Sequence, residues 1–488
     1  MILLALACAA PPDEKPADSG PPVAFDVYRH VPTSELPAVR EWNVSRGEIH
    51  VHSVYSHDAC DALGFADADG NQNYVTGTMN TQCFEDLRAG LCDARLDWVF
   101  LTDHNDHYAE FEYPDVLLHT AADTLLPEGD QPAWAMRMTC PDGHSVLTSA
   151  GIDVDILGIG LRGHVAATPA ERAAIYGARD ATTVAAIQAN GGLALGGYIP
   201  DWDESTFLAM NWDAIEVYNP VHNLRDRMTD VLTLFGRMRS EPDTVPVPEL
   251  GLYAVFDENT TNLERWAQLA WLRRAPSFLG ANAHRNVIVE PTWDGERLDA
   301  YRRAFHWFSN YALLAPGSED DLEGLKAAIA AGRTYGASDA LGTPAGFDFV
   351  ALSDGVTYDM GADVPLSGEV TLRVVSPTVA GLGPNDAIPE VRSRILRATA
   401  DGTWEEVAAG EGVVEVRVTE AGPYRAEVRI LPHHLAPFLG DPDTYLREVL
   451  WIYGNLVYVG MERARCPRPR RARSPSSSRG PCRRRWRS

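Results

Sequence analysis

Residues 47–58 read GEIHVHSVYSHD, and residues 100–106 read FLTDHND. In both stretches an apolar run ends in imidazole and carboxylate groups. Residues i and i+2 of a strand point to the same side, so His50 and His52 at a strand end can face one ion together. Such a pair alone is weak evidence, because histidines also sit satisfied in cores. The surrounding residues add to it: Asp58 lies in the loop that follows, Asp103 and His104 close the run LDWVFLT, and His284 closes SFLGANAH. Imidazole and carboxylate are the ligands that hard-to-borderline divalent metals prefer.

Outward from this stretch, residues 45 to 340 alternate short apolar strands with helical segments. GEIHVH, LDWVFLTDH, GLALGGYI, DAIEVYN and PSFLGANAH read as strands. ERAAIYGARDATTVAAIQANG, NLERWAQLAWLRRA and EDDLEGLKAAIAAGR read as helices. This alternation predicts an α/β fold on a parallel sheet, open or closed, with polar residues at the C-terminal strand ends. After about Thr343 the texture changes to alternating strands such as EVTLRVVSP and VVEVRVTEAGPYRAEVRIL, which predicts a small antiparallel β-sandwich. The expected divisions are a leader and tether over 1–22, a barrel over 23–342, the β domain over 343–460, and a basic tail over 461–488.

The chain has 488 residues, 45% of them hydrophobic and 23% charged, enough for a large core in more than one domain. Its formal charge is −26, yet residues 463–488 hold eleven arginines and no acid, which leaves −37 on the rest. A body this acidic repels nucleic acid and anionic lipid, so the expected partner is a small molecule. The tail CPRPRRARSPSSSRGPCRRRWRS reads either as a disordered basic arm or as a GC-rich gene read out of frame.

MILLALACAAPPDEKPADSG resembles a bacterial lipoprotein signal, with Cys8 as the lipidated residue. It has a short apolar run, no basic start, and Ala5 at the −3 position. The expectation is an exported protein, periplasmic or at the cell surface, that meets the membrane only through that anchor. Cys60, Cys83, Cys92 and Cys140 could form two disulfides in any of three pairings. DADGNQN (67–73) is misregistered for a calcium loop and reads as a polar surface insertion.

The H-x-H-x5-D start, the strand end T-D-H-N, the G-G-L strand followed by DAIEVYN, and G-x-N-A-H together resemble the PHP superfamily of polymerase and histidinol phosphatase proteins. The resemblance covers roughly residues 45–340. It implies a distorted (β/α)7 barrel that holds up to three divalent ions, zinc, manganese or iron, for hydrolysis of phosphoesters or related esters. Carried over residue by residue, His50 and His52 would bind one ion, and Asp58, His104 and His284 a second. Asn282 stands where the family has Asp, so an amide without charge would join the first pair. Tyr198 falls at or beside the family's His in Ala-His-Pro. No glutamate is evident in mid-domain, and Asp153 is the candidate for that place, with His164 or His144 next along. Asp103 and His284 are assigned catalytic roles, Asp103 as the group that orients a histidine.

Bland readings stand beside these. Asp58 could be a turn cap after Ser56, and His57, His107 and His222 carry no assigned role. An amidohydrolase with a carboxylated lysine is excluded, since no lysine lies between Lys15 and Lys326. A non-catalytic barrel that serves as a surface binding or scaffold lipoprotein is the alternative function.

Overall fold

In the computed structural model the described residues are 31–129, 132–251, 253, 256–318, 321–366 and 368–461. Cys8, the tether and the arginine-rich tail lie outside them. Seven strands close into a barrel: β1 (Asn43–Val51), β2 (Trp98–His104), β3 (Ser145–Asp153), β4 (Ile156–Ile159), β5 (Leu193–Gly196), β6 (Ala214–Tyr218) and β7 (Ser277–Ala283). They follow one another around the ring in chain order, and β7 pairs back onto β1. Strand β4 runs antiparallel to both neighbours, while the other ring pairings are parallel.

The expectation was a distorted (β/α)7 barrel; the seven-stranded ring is present, but a helix does not follow every strand. Strands β3 and β4 form a hairpin, with Asp155 at φ 63°, so the short connection leaves no room for a crossover helix. The helix expected over 171–191 is two, Pro169–Gly177 and Ala181–Ala189. Arg179 adopts φ 50°, and the Asp180 side chain accepts from Thr182 N, so a new N-cap interrupts the run.

One apolar cluster takes Ile49, Phe100, Leu147, Leu157, Leu195, Ala214 and Phe278, one from each barrel strand. Side chains from all seven strands can meet only inside the ring. Leu322, Leu325 and Ile329 of the helix Leu322–Ala331 join the same cluster and stopper one end. The polar residues gather at the other end, where the parallel strands finish.

The antiparallel strands continue the barrel's own sheet. Ser309–Leu314 pairs with β1 and Thr334–Ala337, and the latter pairs with Val449–Val459. Gly422–Leu431, Glu390–Ala398 and Trp404–Gly410 follow in order. A four-stranded sheet, Val356–Asp359, Asp348–Ser353, Val370–Val375 and Val413–Val418, packs on it through Phe349, Leu372 and Val374. Buried Asn455 ties the two parts: its Oδ1 accepts from Ser277 N at 2.9 Å, and its Nδ2 donates to Thr334 O at 3.0 Å. The sheet therefore crosses the position expected to separate two domains.

Candidate metal centre

The first histidine reaches the barrel mouth through a bulge. His50 adopts φ 71°, and the register of β1 against both β2 and β7 slips between Ile49 and Val51. Ile49 belongs to the interior cluster and Val51 to the outer core. The extra residue turns His50 inward beside Ile49, and the strand then resumes with Val51 out and His52 in. Both imidazoles are fully buried, with ring centroids 5.2 Å apart.

Asp153, at the end of β3, sits beneath them. Its Oδ2 lies 3.3 Å from His50 Nε2, 3.7 Å from His52 Nε2 and 3.8 Å from His104 Nδ1. His52 Nδ1 donates to Ser56 Oγ at 3.0 Å, and that hydroxyl donates to Asp58 Oδ1 at 2.8 Å. This chain sets the tautomer and leaves the His52 Nε2 lone pair facing Asp153. Neither His52 Nε2 nor Asp153 Oδ2 completes a hydrogen bond among the described residues, although both are fully buried. Buried polar atoms are rarely left so, because each lost bond costs about 1–3 kcal/mol.

A second group adjoins the first. Asp58 Oδ2 lies 3.3 Å from His104 Nε2 and 3.9 Å from His284 Nε2, and the His284 ring packs 4.5 Å from that of His52. Ligand atoms of His50, His52 and Asp153, and those of His52, Asp58 and His104, lie close enough for each trio to hold a metal ion. The donor set of imidazole nitrogen and carboxylate oxygen suits zinc, manganese or iron. Side chains of His104 and Asp58 are 22% and 28% exposed, against 0% for His50, His52 and Asp153, so the centre opens on the Asp58 side.

Electrostatics follow from this packing. Burial works against charge on His50, but Glu216 and Asp153 outweigh it and raise the imidazole to about 10. Burial likewise opposes charge on His104, and Asp58 and Asp153 lift it to about 9. Burial would raise Asp153, yet His50, His104 and His52 hold it at about 2. Burial lowers His284 to about 4 and pushes Asp103 up to about 7. Cation-binding nitrogens thus crowd carboxylates that stay ionised.

Glu216 was missed by the sequence reading. Its Oε1 lies 2.6 Å from His50 Nδ1, and its Oε2 accepts from Tyr198 N at 3.1 Å and Asn219 Nδ2 at 3.0 Å. The signal was present in the strand AIEVY (214–218): one acid inside an otherwise continuous apolar run of a buried strand has to face something polar. Tyr198 and Asn282 complete the surroundings. The Tyr198 hydroxyl lies 3.1 Å from His50 Nε2 and donates to Asn282 Oδ1 at 3.3 Å. Asn282 Nδ2 donates to Asn219 Oδ1 at 3.3 Å. Three of these residues hold left-handed backbone, His50 at φ 71°, Tyr198 at 45° and Asn282 at 48°. Non-glycine residues there cost of order 1 kcal/mol each, and such strain concentrates at functional sites.

Two expectations are corrected. His164 does not join the group: its Nε2 donates to Phe111 O at 2.6 Å, and its ring is packed among Tyr108, Tyr113 and Tyr176. Antiparallel β4 leads the chain back from the mouth to the stoppered end, where Gly160 O accepts from Lys326 Nζ, before position 164 is reached. Among the described residues Asp103 bonds to Ser53 and not to a histidine: its carboxylate accepts from Ser53 N at 2.5 Å and Ser53 Oγ at 2.7 Å, which fixes the loop leading from His52 to Asp58. His144 is likewise remote in role, since its Nε2 donates to Leu96 O at 2.7 Å.

Two disulfides, Cys60–Cys83 and Cys92–Cys140, select one of the three open pairings, and they suit an oxidising compartment. Among the described residues no helix is long and apolar enough to cross a membrane.

Comparison with known proteins found no matching family model and no matching curated protein. Two solved structures are similar. One is a two-domain protein from Bacteroides vulgatus ATCC 8482 containing a predicted PHP-like metal-dependent phosphoesterase, at 10% identity over 87% of this chain and 97% of that one, TM-score 0.29. The other is the PmoD soluble domain from Methylocystis sp. ATCC 49242 (Rockwell), at 11% identity over 23% of this chain and 90% of that one, TM-score 0.16.

Proposed function

We propose that this chain is an exported metal-dependent hydrolase of small phosphoesters or related esters. The observation that carries the reading is the facing pair of unbonded, fully buried atoms, His52 Nε2 and Asp153 Oδ2, 3.7 Å apart. His50, His52, Asp58, His104, Asp153 and His284 would hold one or two ions of zinc, manganese or iron. Such ions supply a lowered pKa for a coordinated water and polarisation of the phosphoryl or acyl oxygen.

The chain's own residues do the rest. Glu216 fixes the plane of His50, and Ser56 fixes His52 and Asp58 together. Outer partners of this kind orient ligands and raise their basicity. The buried floor of Ile49, Phe100 and Phe278 excludes water from below, so substrate enters beside Asp58 and His104. His284, held neutral by burial, keeps its Nε2 lone pair available for the ion beside Asp58, whose Oδ2 lies 3.9 Å away. The acidity of the body favours a small substrate over a polyanion.

The test is elemental analysis of the purified full chain for zinc, manganese and iron. Turnover of phosphomonoesters, phosphodiesters and carboxyl esters is then measured with and without chelator. Stoichiometric metal with chelator-sensitive turnover supports the proposal; a folded protein without metal refutes it.

One observation favours a second reading. His50, Glu216, Asn219, Asn282 and Tyr198 form a closed circuit of contacts of 2.6–3.3 Å that satisfies both nitrogens of His50 without an ion. On this reading the barrel is a non-catalytic binding or scaffold protein, anchored at Cys8. Folded protein that turns over no ester, with or without added metal, would favour it.

A further inference from the structure

Tyr198 and Asn282 are the two residues of this site that depart from the pattern of the resembled family. Their placement suggests a common purpose. Around a tetrahedral ion with bonds of about 2.0–2.1 Å, neighbouring ligand atoms lie about 3.3–3.4 Å apart. His50 Nε2 lies 3.3 Å from Asp153 Oδ2, His52 Nε2 lies 3.7 Å from that same oxygen, and the Tyr198 hydroxyl lies 3.1 Å from His50 Nε2. The phenol oxygen therefore stands at a ligand's distance from the group that ligates.

Tyr198 is also held at both ends. Its backbone N–H donates to Glu216 Oε2 at 3.1 Å, and its hydroxyl donates to Asn282 Oδ1 at 3.3 Å. Asn282 is fixed in turn by Asn219, and both Tyr198 and Asn282 keep left-handed backbone at φ 45° and 48°. The residue is buried, at 9% exposure, so the hydroxyl has no ready escape to solvent. Charge points the same way. His50, His52 and Asp153 bring a single negative charge to a cation of two or three, and Asn282 adds none. A tyrosinate would supply what the amide does not.

Resting on the reading of this site as a metal centre, we propose that Tyr198 is a ligand of the ion held by His50, His52 and Asp153, and that the centre thereby favours iron(III). Asn282 positions the phenol until the ion binds, by accepting its O–H. On binding, the phenol proton leaves to solvent and the oxygen lone pair goes to the metal, with no change of oxidation state.

Tyrosinate bound to iron(III) absorbs visible light by charge transfer from ligand to metal, a signal independent of turnover. The full chain is stripped with chelator and loaded with iron(III) citrate, and iron content is measured beside the visible and resonance Raman spectra. The expected result is a coloured protein whose Raman spectrum carries tyrosinate ring modes. Tyr198→Phe, and Tyr198→His as a variant that keeps a ligand, should retain iron and lose the band. Iron bound stoichiometrically without a visible band overturns this inference and leaves the hydrolase reading intact. A band that survives in both variants also overturns it, since another tyrosine would then be responsible. Failure of wild-type protein to bind any of zinc, manganese or iron overturns both readings.

Discussion

The carboxylate of Glu216 fills the space that a side chain at position 280 would need. A Cβ built on Gly280 would meet Glu216 Oε1 at 1.9 Å and His50 Nδ1 at 3.1 Å. Strand β7 can run past the Glu216–His50 pair only because it carries glycine there. Gly280→Ala should therefore lose about 1–3 kcal/mol of stability, as overpacked sites do. It should also release metal more readily than wild type, read by elemental analysis after dialysis. A variant with unchanged melting and metal content would show that the pair is not held this way.

Glu216→Gln removes the charge behind His50 while keeping its shape. Loss of such an outer partner weakens metal binding by about 10–100-fold. Competition with a chromophoric chelator measures this directly. An affinity equal to wild type would mean that His50 ligates nothing.

Asp153 is the carboxylate that both candidate groups approach, so Asp153→Asn should reduce metal occupancy more than any other single change. The expected loss exceeds about 100-fold, beyond that of the outer partner. Added zinc or manganese should raise the melting temperature of wild type, because a ligand at 100 times its Kd contributes about 2.7 kcal/mol. The variant should show no such rise. A variant stabilised as much as wild type would place the ion elsewhere.

The disulfides close chain segments of different length, 23 and 48 residues apart. In the chain-entropy model, removing Cys60–Cys83 costs about 3 kcal/mol and removing Cys92–Cys140 about 4 kcal/mol. Paired Cys→Ser variants compared in urea test the ranking. Because Cys60 follows Asp58 closely and its N–H donates to His284 O at 2.9 Å, the first pair should also affect metal retention and the second should not.

His164 supplies a pH prediction away from the centre. Burial lowers its imidazole to about 4, against about 6.5 in the unfolded chain. Above pH 6.5 both states are neutral and the group contributes nothing. As pH falls from 6.5 toward 4, the unfolded chain takes a proton that the folded one refuses, so stability is lost in that window. Discounted for the part of the ring near solvent, the loss is about 1–2 kcal/mol. His164→Gln, which keeps a donor to Phe111 O, should lose less stability than wild type between those pH values. Parallel urea curves for the two proteins across the window would contradict the assignment.

Much of the site was legible because strand ends are local features. The i, i+2 spacing of His50 and His52, and the positions of His104 and His284 behind apolar runs, required only the period of a strand. Asp153 came from the resemblance, as the candidate for the family's mid-domain glutamate, and it stands beside both histidines of β1. His164 was misplaced because nothing local in AGIDVDILGIG announces that β3 and β4 turn back as a hairpin. Glu216 was passed over although its acid interrupts an apolar strand, because its meaning depends on Gly280 and His50, distant in the chain.

The order of residues alone therefore determined five of the seven barrel strands and which imidazoles end them, but not β3 and β4, nor that antiparallel pairing begins already at Ser309–Leu314. Local period and side-chain polarity act over a few residues and need no partner. Tertiary structure decided the rest: closure of seven strands with β4 reversed, the bulge that turns His50 inward, the tyrosine–asparagine pair beside it, and the cysteine pairing. Each depends on groups distant in the chain meeting at one place, as Ile49 meets Gly280, and only the closed barrel brings them there.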